Sequence, residues 1–125
     1  MTLIDDITVN DGVMFLEIVK TELKKNVGKI TGGQHTVYVI RGRDNLGEID
    51  IIRRYSEFLF FRDMLFSRYP GVYIPPVPSK KAQGHKEAIF VDERRHFLDQ
   101  FMKAICQMKY LASSPEMQIF LRPKL

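Results

Sequence analysis

The chain has 125 residues, of which 45% are hydrophobic and 27% charged, and this is the composition of one soluble globular domain with its own core. No hydrophobic run is long enough to span a bilayer and Met1 opens no signal-peptide pattern, so any membrane contact is expected to be peripheral. The formal net charge of +4 suits an anionic partner, such as nucleic acid, a membrane surface or a phosphorylated ligand, without choosing among them. The single Cys106 can form no internal disulfide, which fits a reducing compartment.

The first part of the chain is predicted to form three strands. Residues 1–10 are acidic and irregular and are interpreted as a flexible leader. Alternating apolar residues indicate strands over residues 13–22, 35–41 and 49–54. The stretch 42–47 is typical of a hairpin turn, so the strands are expected to form an antiparallel meander.

The second part of the chain is predicted to be helical, with a proline-rich interruption. Ser56 is the candidate N-cap of a first long helix, and Asp92 is the candidate N-cap of a second. Between them, residues 74–78 are predicted to run as polyproline II and residues 79–88 as a polar, basic loop. A short final helix is expected to begin after Ser114, with a proline at its first position. The core face of the second long helix is predicted to carry four apolar residues: Leu98, Phe101, Ile105 and Met108.

Three strands followed by helices predict an α+β domain. The predicted fold is a three-stranded antiparallel meander followed by a helical subdomain, with a polyproline segment and a basic loop between the first two long helices. The domain is predicted to cover residues 11–121, and residues 122–125 are interpreted as a C-terminal tail.

Patterns typical of catalysis or metal binding do not occur in the sequence. His35, His85 and His96 are far apart and have no cysteine partners at metal-ligand spacing. There is no glycine-rich phosphate loop, no nucleophile elbow and no pair of carboxylates on one helical face. The sequence therefore predicts a chain that is not an enzyme and that needs neither a metal nor a cofactor.

The junction between the third strand and the first helix carries Arg53, Arg54 and Tyr55. Because strand side chains alternate, the two arginines are expected on opposite faces, and only one of them can join a given pocket. A guanidinium suits phosphate, and a tyrosine ring offers a flat apolar face beside it. The junction is interpreted either as a ligand site or as a surface arginine pair with a half-buried tyrosine.

Three basic residues, Arg94, Arg95 and His96, are expected in the first turn of the second long helix. A helix N-terminus is partly positive, so cations are unfavourable there unless an anion binds to its free backbone N–H groups. The turn is interpreted either as an anion site or as a solvated charged turn.

The proline-rich segment also has two interpretations. Residues 75–80 match the PxxPxK pattern that aromatic-grooved modules accept as a ligand. They are equally well suited to a rigid strut that directs the basic loop, and the strut is the favoured interpretation.

Three motifs occur in order along the chain: Arg54-Tyr55-Ser56-Glu57-Phe58, then the prolines followed by Lys80, then Glu93-Arg94-Arg95 at the opening of a helix. Together they resemble the phox-homology (PX) domain of the sorting nexins, the phosphoinositide-reading module of endosomal membranes. The resemblance extends from about Asp11 to Leu121 and includes the order of three strands followed by helices.

The resemblance implies a pocket for phosphatidylinositol 3-phosphate. Arg54 would hold the 3-phosphate, Tyr55 would stack beneath the inositol ring, and Ser56 would lie beside the same phosphate. Arg94 would reach the 4- and 5-hydroxyls, with Arg95 pointing elsewhere. The resemblance also implies that Lys80 would contact the 1-phosphate, with Lys81 as the alternative.

The loop after the prolines departs from the family pattern. Family members often insert large apolar side chains into the bilayer there, whereas this loop is short and polar, with a membrane-facing set of Lys81, His85 and Lys86. Ile89 and Phe90 are expected to be taken up by the helix that follows. We therefore expect weak insertion and a larger electrostatic contribution to membrane binding.

The resemblance implies a phosphoinositide-binding module that brings its owner to the cytoplasmic face of early endosomal membranes for sorting and protein transport. The alternative is a protein-interaction domain with a degenerate lipid pocket that binds protein partners through residues 75–78. No nucleic-acid partner is expected, because the basic residues are not interleaved with exposed aromatic residues along a groove.

Overall fold

The computed structural model describes residues 14–27, 33–79 and 88–123. Its three strands form one antiparallel sheet in the order β1-β2-β3, and helices follow them along the chain. This confirms the predicted α+β class. The strands are β1 (Phe15–Lys25), β2 (Gln34–Asp44) and β3 (Gly47–Arg54). The helices are α1 (Tyr55–Arg68), α2 (Ala88–Gln107), α3 (Lys109–Ala112) and α4 (Pro115–Leu121).

A tight turn joins β2 to β3, within the stretch that the sequence predicted as a hairpin. The strands extend further into this stretch than expected, because Asp44 and Gly47 still pair with each other. The Asp44 carboxylate accepts a hydrogen bond from the Leu46 N–H at 2.9 Å, and Gly47 has a φ of +133° that favours glycine. The turn itself therefore needs only two residues.

Gly42 of β2 lies where the backbone of β1 comes closest. It pairs with Leu16, and a Cβ at this position would stand 1.8 Å from the carbonyl oxygen of Phe15. No side chain fits in that space, so the approach of β1 to β2 requires glycine here.

The helices cover one face of the sheet. Helix α4 packs on α1 through Phe120, whose ring stacks on Phe61 at 4.5 Å between centroids and meets Phe58 edge-on at 5.3 Å. The buried core residues come from the sheet and from the helices: Leu16, Ile18, Tyr38, Ile40, Ile49, Phe58, Phe61, Leu65, Ile74, Leu98, Phe101, Met102, Ile105, Leu111, Met117, Phe120 and Leu121.

Side chains of α2 are hydrogen-bonded to β1 next to a register shift in that strand. The register between β1 and β2 shifts between Ile18 and Lys20. Because β1 is an edge strand, the backbone groups of Ile18 that face away from β2 can bind side chains. Its N–H donates to Asp99 Oδ1 at 2.9 Å, and its carbonyl accepts from Arg95 Nη1 at 3.0 Å. Two polar residues of α2 therefore fix the helix that also carries Arg94.

The starts of the two long helices differ from the sequence predictions. Helix α1 begins at Tyr55 with Arg54 as its N-cap, not Ser56, and the Arg54 N–H donates to Glu57 Oε1 at 2.7 Å. Helix α2 begins at Ala88, so Asp92 is not its N-cap. The Asp92 carboxylate instead accepts from Arg95 Nε at 3.0 Å within the helix.

The C-terminal helices are partly as predicted. Ser114 caps α4, accepting a hydrogen bond from the Met117 N–H at 3.1 Å, and Pro115 is the first helical residue. Helix α2 ends at Gln107, however, and the short helix α3 follows, so Met108 lies between two helices instead of on the core face of one. The predicted leader, residues 1–10, lies outside the described residues.

Candidate functional site

The two adjacent arginines at the end of β3 have different environments. Arg53 donates from Nε and Nη2 to the Phe120 carbonyl at 2.9 and 2.7 Å, and from Nη1 to the Ile52 carbonyl at 2.6 Å. Burial lowers the pKa of its guanidinium, which nevertheless stays charged at neutral pH. Arg54 is exposed on the opposite face, as strand alternation predicted. Arg53 is therefore a structural residue that ties β3 to α4, and Arg54 is available for a ligand.

Tyr55 and Arg94 are in direct contact, although 39 positions separate them in the sequence. The guanidinium carbon of Arg94 lies 3.8 Å from the centroid of the Tyr55 ring and 5.1 Å from that of Phe90. Two aromatic rings thus hold one cation. The site brings together the first residue of α1 and the second turn of α2, and the chain itself places Arg54 beside Tyr55.

Arg94 keeps an unused hydrogen-bond donor. Its Nε is buried and has no hydrogen-bond partner, and it is the one such side-chain nitrogen or oxygen in the part of the chain that the structure describes. A buried donor without a partner carries a desolvation cost of about 1–3 kcal/mol, so it favours binding of an acceptor.

Tyr38 is a further residue at this site that the sequence did not single out. Burial raises the pKa of the Tyr38 hydroxyl, while the charge and the hydrogen bond of nearby Arg94 lower it in part. Burial likewise raises the pKa of Tyr55, and Arg94 again opposes the rise. Both phenols are therefore neutral at physiological pH. For Tyr38 the sequence offered only strand alternation, which places it on the same face of the strand as Ile40 and does not indicate a ligand site.

The N-terminus of α1 adds a partial positive charge near these residues. The first N–H groups of a helix have no acceptor within the helix, and their dipoles favour an anion. Here Arg54 is the N-cap and Ser56, which is exposed, is the second helical residue. An exposed arginine and a helix N-terminus therefore meet at the same corner of the molecule.

The predicted basic first turn of α2 is wrong. Because α2 begins at Ala88, Arg94 and Arg95 lie in its second turn, away from the free N–H groups. Arg95 points away from the site and binds Asp92 and the Ile18 carbonyl. Arg94 is therefore suited to a ligand through its aromatic contacts and its unused donor, and the helix N-terminus that matters is that of α1.

The proline-rich segment is bound along α1. Arg62 Nε donates to the Pro75 carbonyl at 2.7 Å and its Nη2 to the Ile74 carbonyl at 3.1 Å, while the Tyr55 hydroxyl donates to the Pro78 carbonyl. Ile74 and Pro75 are buried. These contacts support the strut interpretation, because a segment packed this way is not presented as a free PxxP ligand.

Four basic residues predicted at the membrane side, Lys80, Lys81, His85 and Lys86, lie outside the described residues. The apolar pair that follows them is in the first turn of α2, as expected, but the two side chains differ. Phe90 is half-buried beside Arg94, whereas Ile89 is 74% exposed. The helix therefore includes both residues, as expected, but it leaves the Ile89 side chain exposed.

The described residues do not meet the requirements of a metal site, a reactive cysteine or a membrane-spanning helix. They contain no group of three or more His, Cys, Asp or Glu side chains placed to hold a metal ion. Burial raises the pKa of the Cys106 thiol to about 12, so it is unreactive at neutral pH. None of the described helices combines the length and the apolar character required to cross a bilayer.

The sequence of the chain is similar to that of a known domain family. The family model described as the PX domain matches residues 42–124, more than half of the chain. The chain is 40% identical to sorting nexin 1 of Arabidopsis thaliana over 74 residues, which are 58% of this chain and 18% of that protein. It is 30% identical to vacuolar protein sorting-associated protein 5 of Saccharomyces cerevisiae over 107 residues, which are 82% of this chain and 16% of that protein.

The fold also matches a solved structure. A designed CISK-PX domain superposes with a TM-score of 0.74 at 25% identity, and the match covers 87% of this chain and 99% of that one. The chain spans less than a fifth of the curated relatives named above. PX domains of sorting nexins are non-enzymatic modules that bind phosphoinositide membranes. The matched residues and the shared fold agree, and the chain belongs to the PX domain family.

Proposed function

We propose that this domain reads phosphatidylinositol 3-phosphate and thereby brings its owner to the cytoplasmic face of early endosomal membranes. The observation that carries the proposal is the Arg94 guanidinium, which contacts the rings of Tyr55 and Phe90 and has a buried donor without a partner. A headgroup with phosphates and ring hydroxyls offers the acceptors that such a site lacks.

Each residue has a distinct contribution to the proposed pocket. Arg54 binds the 3-phosphate with the help of the partial positive charge at the start of α1, and Ser56 lies beside the same phosphate. Tyr55 presents its ring to the inositol, and Arg94, fixed on that ring, donates to the 4- and 5-hydroxyls. Two cations from different elements would then bind opposite sides of one headgroup.

The chain after the prolines would supply the remaining charge. Lys80, or Lys81 in its place, would bind the 1-phosphate, and Lys81, His85 and Lys86 would face the anionic membrane surface. Exposed Ile89 would add an apolar contact with the bilayer. Residues 11–121 would then form the lipid-binding unit of a longer trafficking protein.

The test is a vesicle-binding titration of wild type against Arg54→Ala. Wild type is expected to bind vesicles with phosphatidylinositol 3-phosphate more tightly than vesicles with unphosphorylated phosphatidylinositol at equal total charge. Loss of the charge-assisted hydrogen bonds should weaken the variant by about 10- to 100-fold. Arg41→Ala is the matched control, because Arg41 is also an exposed arginine of the sheet and pairs with Asp50 at 3.3 Å. Circular dichroism checks that both variants are folded.

The alternative, a protein-interaction domain acting through residues 75–78, predicts a different result. Wild type would then show no headgroup preference, and Arg54→Ala and Arg41→Ala would behave alike. The contacts of the proline segment with Arg62 and Tyr55 favour the lipid-binding proposal, since they use the segment inside the fold.

A further inference from the structure

Helix α1 contacts the proline segment at two points on one side of the helix. Arg62 binds the Ile74 and Pro75 carbonyls through Nη2 and Nε, and the Tyr55 hydroxyl binds the Pro78 carbonyl. The two contact residues are seven positions apart, which is about two helical turns, so their side chains leave the helix in similar directions. The segment therefore runs along α1 toward its N-terminus.

The spacing of the two contacts matches an extended proline segment. Seven helical residues span about 10.5 Å along the axis at 1.5 Å per residue. From Pro75 to Pro78 there are three residues, which span about 9 Å in polyproline II at 3.1 Å per residue. A contracted segment would be too short to reach both points, so the two contacts select the extended form.

The chemistry of the segment explains why both anchors are donors. Proline has no backbone N–H, so this segment offers mainly carbonyl oxygens for bonding. A guanidinium can donate to two consecutive carbonyls at once, as Arg62 does, whereas an ammonium group lacks a planar fork for this. Arginine is therefore the residue type suited to this position.

We propose that Arg62 is a positioning residue for headgroup binding, which acts on the ligand site through the proline segment. By fixing Ile74 and Pro75, it sets where the Pro78 carbonyl stands, and this carbonyl holds the hydroxyl end of Tyr55. The face of the Tyr55 ring in turn carries Arg94. The inference rests on the proposed function and extends it to a residue two helical turns from the pocket.

The experiment measures local order and affinity in the same variants. Arg62→Met is expected to speed amide hydrogen exchange at Val77 and Ser79, the two residues of 75–79 that have an N–H, and to leave Val39 in the middle of β2 unchanged. Its affinity for vesicles containing phosphatidylinositol 3-phosphate should fall about 5- to 10-fold, with Arg62→Lys between it and wild type. Arg41→Met removes the same charge from an exposed site and should change affinity less than twofold.

A double variant tests the proposed route from Arg62 to the pocket. Arg62→Met and Tyr55→Phe both break the link to the Pro78 side, so together they should weaken binding little more than Tyr55→Phe alone. Additive effects would contradict the route through Pro78. If wild type prefers the 3-phosphorylated headgroup and Arg62→Met binds as Arg41→Met does, the positioning proposal is wrong while the proposed function stands. If wild type shows no headgroup preference, both are wrong.

Discussion

The two ends of β3 each have a partly buried arginine, and the two arginines differ in how completely they are bonded. At the hairpin end, Arg122 donates to both carboxylate oxygens of Asp44 at 2.7 and 2.9 Å and to the Gly47 carbonyl at 3.2 Å. At the other end, Arg94 contacts the rings of Tyr55 and Phe90, and its Nε has no partner. Both arginines are cations of intermediate burial, so the unused donor is what distinguishes Arg94, the proposed ligand arginine, from Arg122, whose donors bind within the fold.

Two further arginines are bonded within the fold, as Arg122 is. Arg53 and Arg95 lie next to the proposed ligand arginines in the sequence, yet each is bonded to a backbone carbonyl of another element. In each pair of adjacent arginines, one therefore stabilises the fold and the other has donors available for a ligand. The comparison can be tested by removing the cation at each end of β3.

The largest effects are expected when the arginine at each end of β3 is replaced by methionine. Arg94→Met should weaken headgroup binding about 100-fold. It should lower stability less than Arg122→Met does, because the lost contacts with the Tyr55 and Phe90 rings are offset in part by removal of the buried Nε that has no partner. Arg122→Met leaves the buried Asp44 carboxylate without its bidentate partner and should lower the free energy of unfolding by about 2–3 kcal/mol. Vesicle titration and urea unfolding measure the two quantities.

Each variant is also measured in the other assay, and these two results serve as controls. Folded Arg122→Met should bind the headgroup as wild type does, and the urea midpoint of Arg94→Met should lie closer to that of wild type than the midpoint of Arg122→Met does. A similar loss of affinity in both variants would contradict the division of the molecule into a structural end and a binding end.

A smaller effect is expected from acid. The hydrogen bonds from Arg122 hold the pKa of Asp44 below its ordinary value, and the Leu46 N–H contributes in the same direction. This stabilisation is complete above the unfolded-state pKa of about 4 and is lost as the pH falls through the lower folded-state pKa. Wild type should therefore lose stability below about pH 4 more steeply than Arg122→Met, which lacks the bonds that lower this pKa. Urea unfolding from pH 6 to pH 2.5 tests this, and equal slopes would contradict it.

The smallest effect concerns exposed apolar residues at the two ends. Ile89 is 74% exposed next to the proposed site, and Leu46 is 66% exposed at the hairpin. Ile89→Ser should weaken vesicle binding about three- to fivefold through lost contact with the bilayer, whereas Leu46→Ser should leave it unchanged. If neither substitution affects binding, membrane attachment is electrostatic, as the polar loop suggested.

Local signals made some elements predictable from the sequence. The start of α4 was predicted correctly because serine at the N-cap and proline at the first position act within one turn. The separation of Arg53 from Arg54 also followed from a local rule, the alternation of side chains in a strand.

Features that depend on distant residues were not predictable. Asp92 resembles an N-cap in sequence, but the helix begins at Ala88. The Asp92 carboxylate is bonded instead to Arg95, which in turn binds β1. Likewise, no local pattern indicates that Arg62 binds two carbonyls twelve and thirteen residues away, or that Tyr38 stands beside Arg94. A resemblance to a family supplied the site where local patterns left it open.

Gly42 lies in β2, away from the proposed site, yet it affects how β1 and α2 are placed. Any larger residue there would push the start of β1 away, since the Phe15 carbonyl oxygen occupies the place of a Cβ. Further along β1, Ile18 holds α2 through Asp99 and Arg95, one residue from Arg94. The geometry of the proposed headgroup site thus depends in part on Gly42, a residue of another element that contributes by having no side chain.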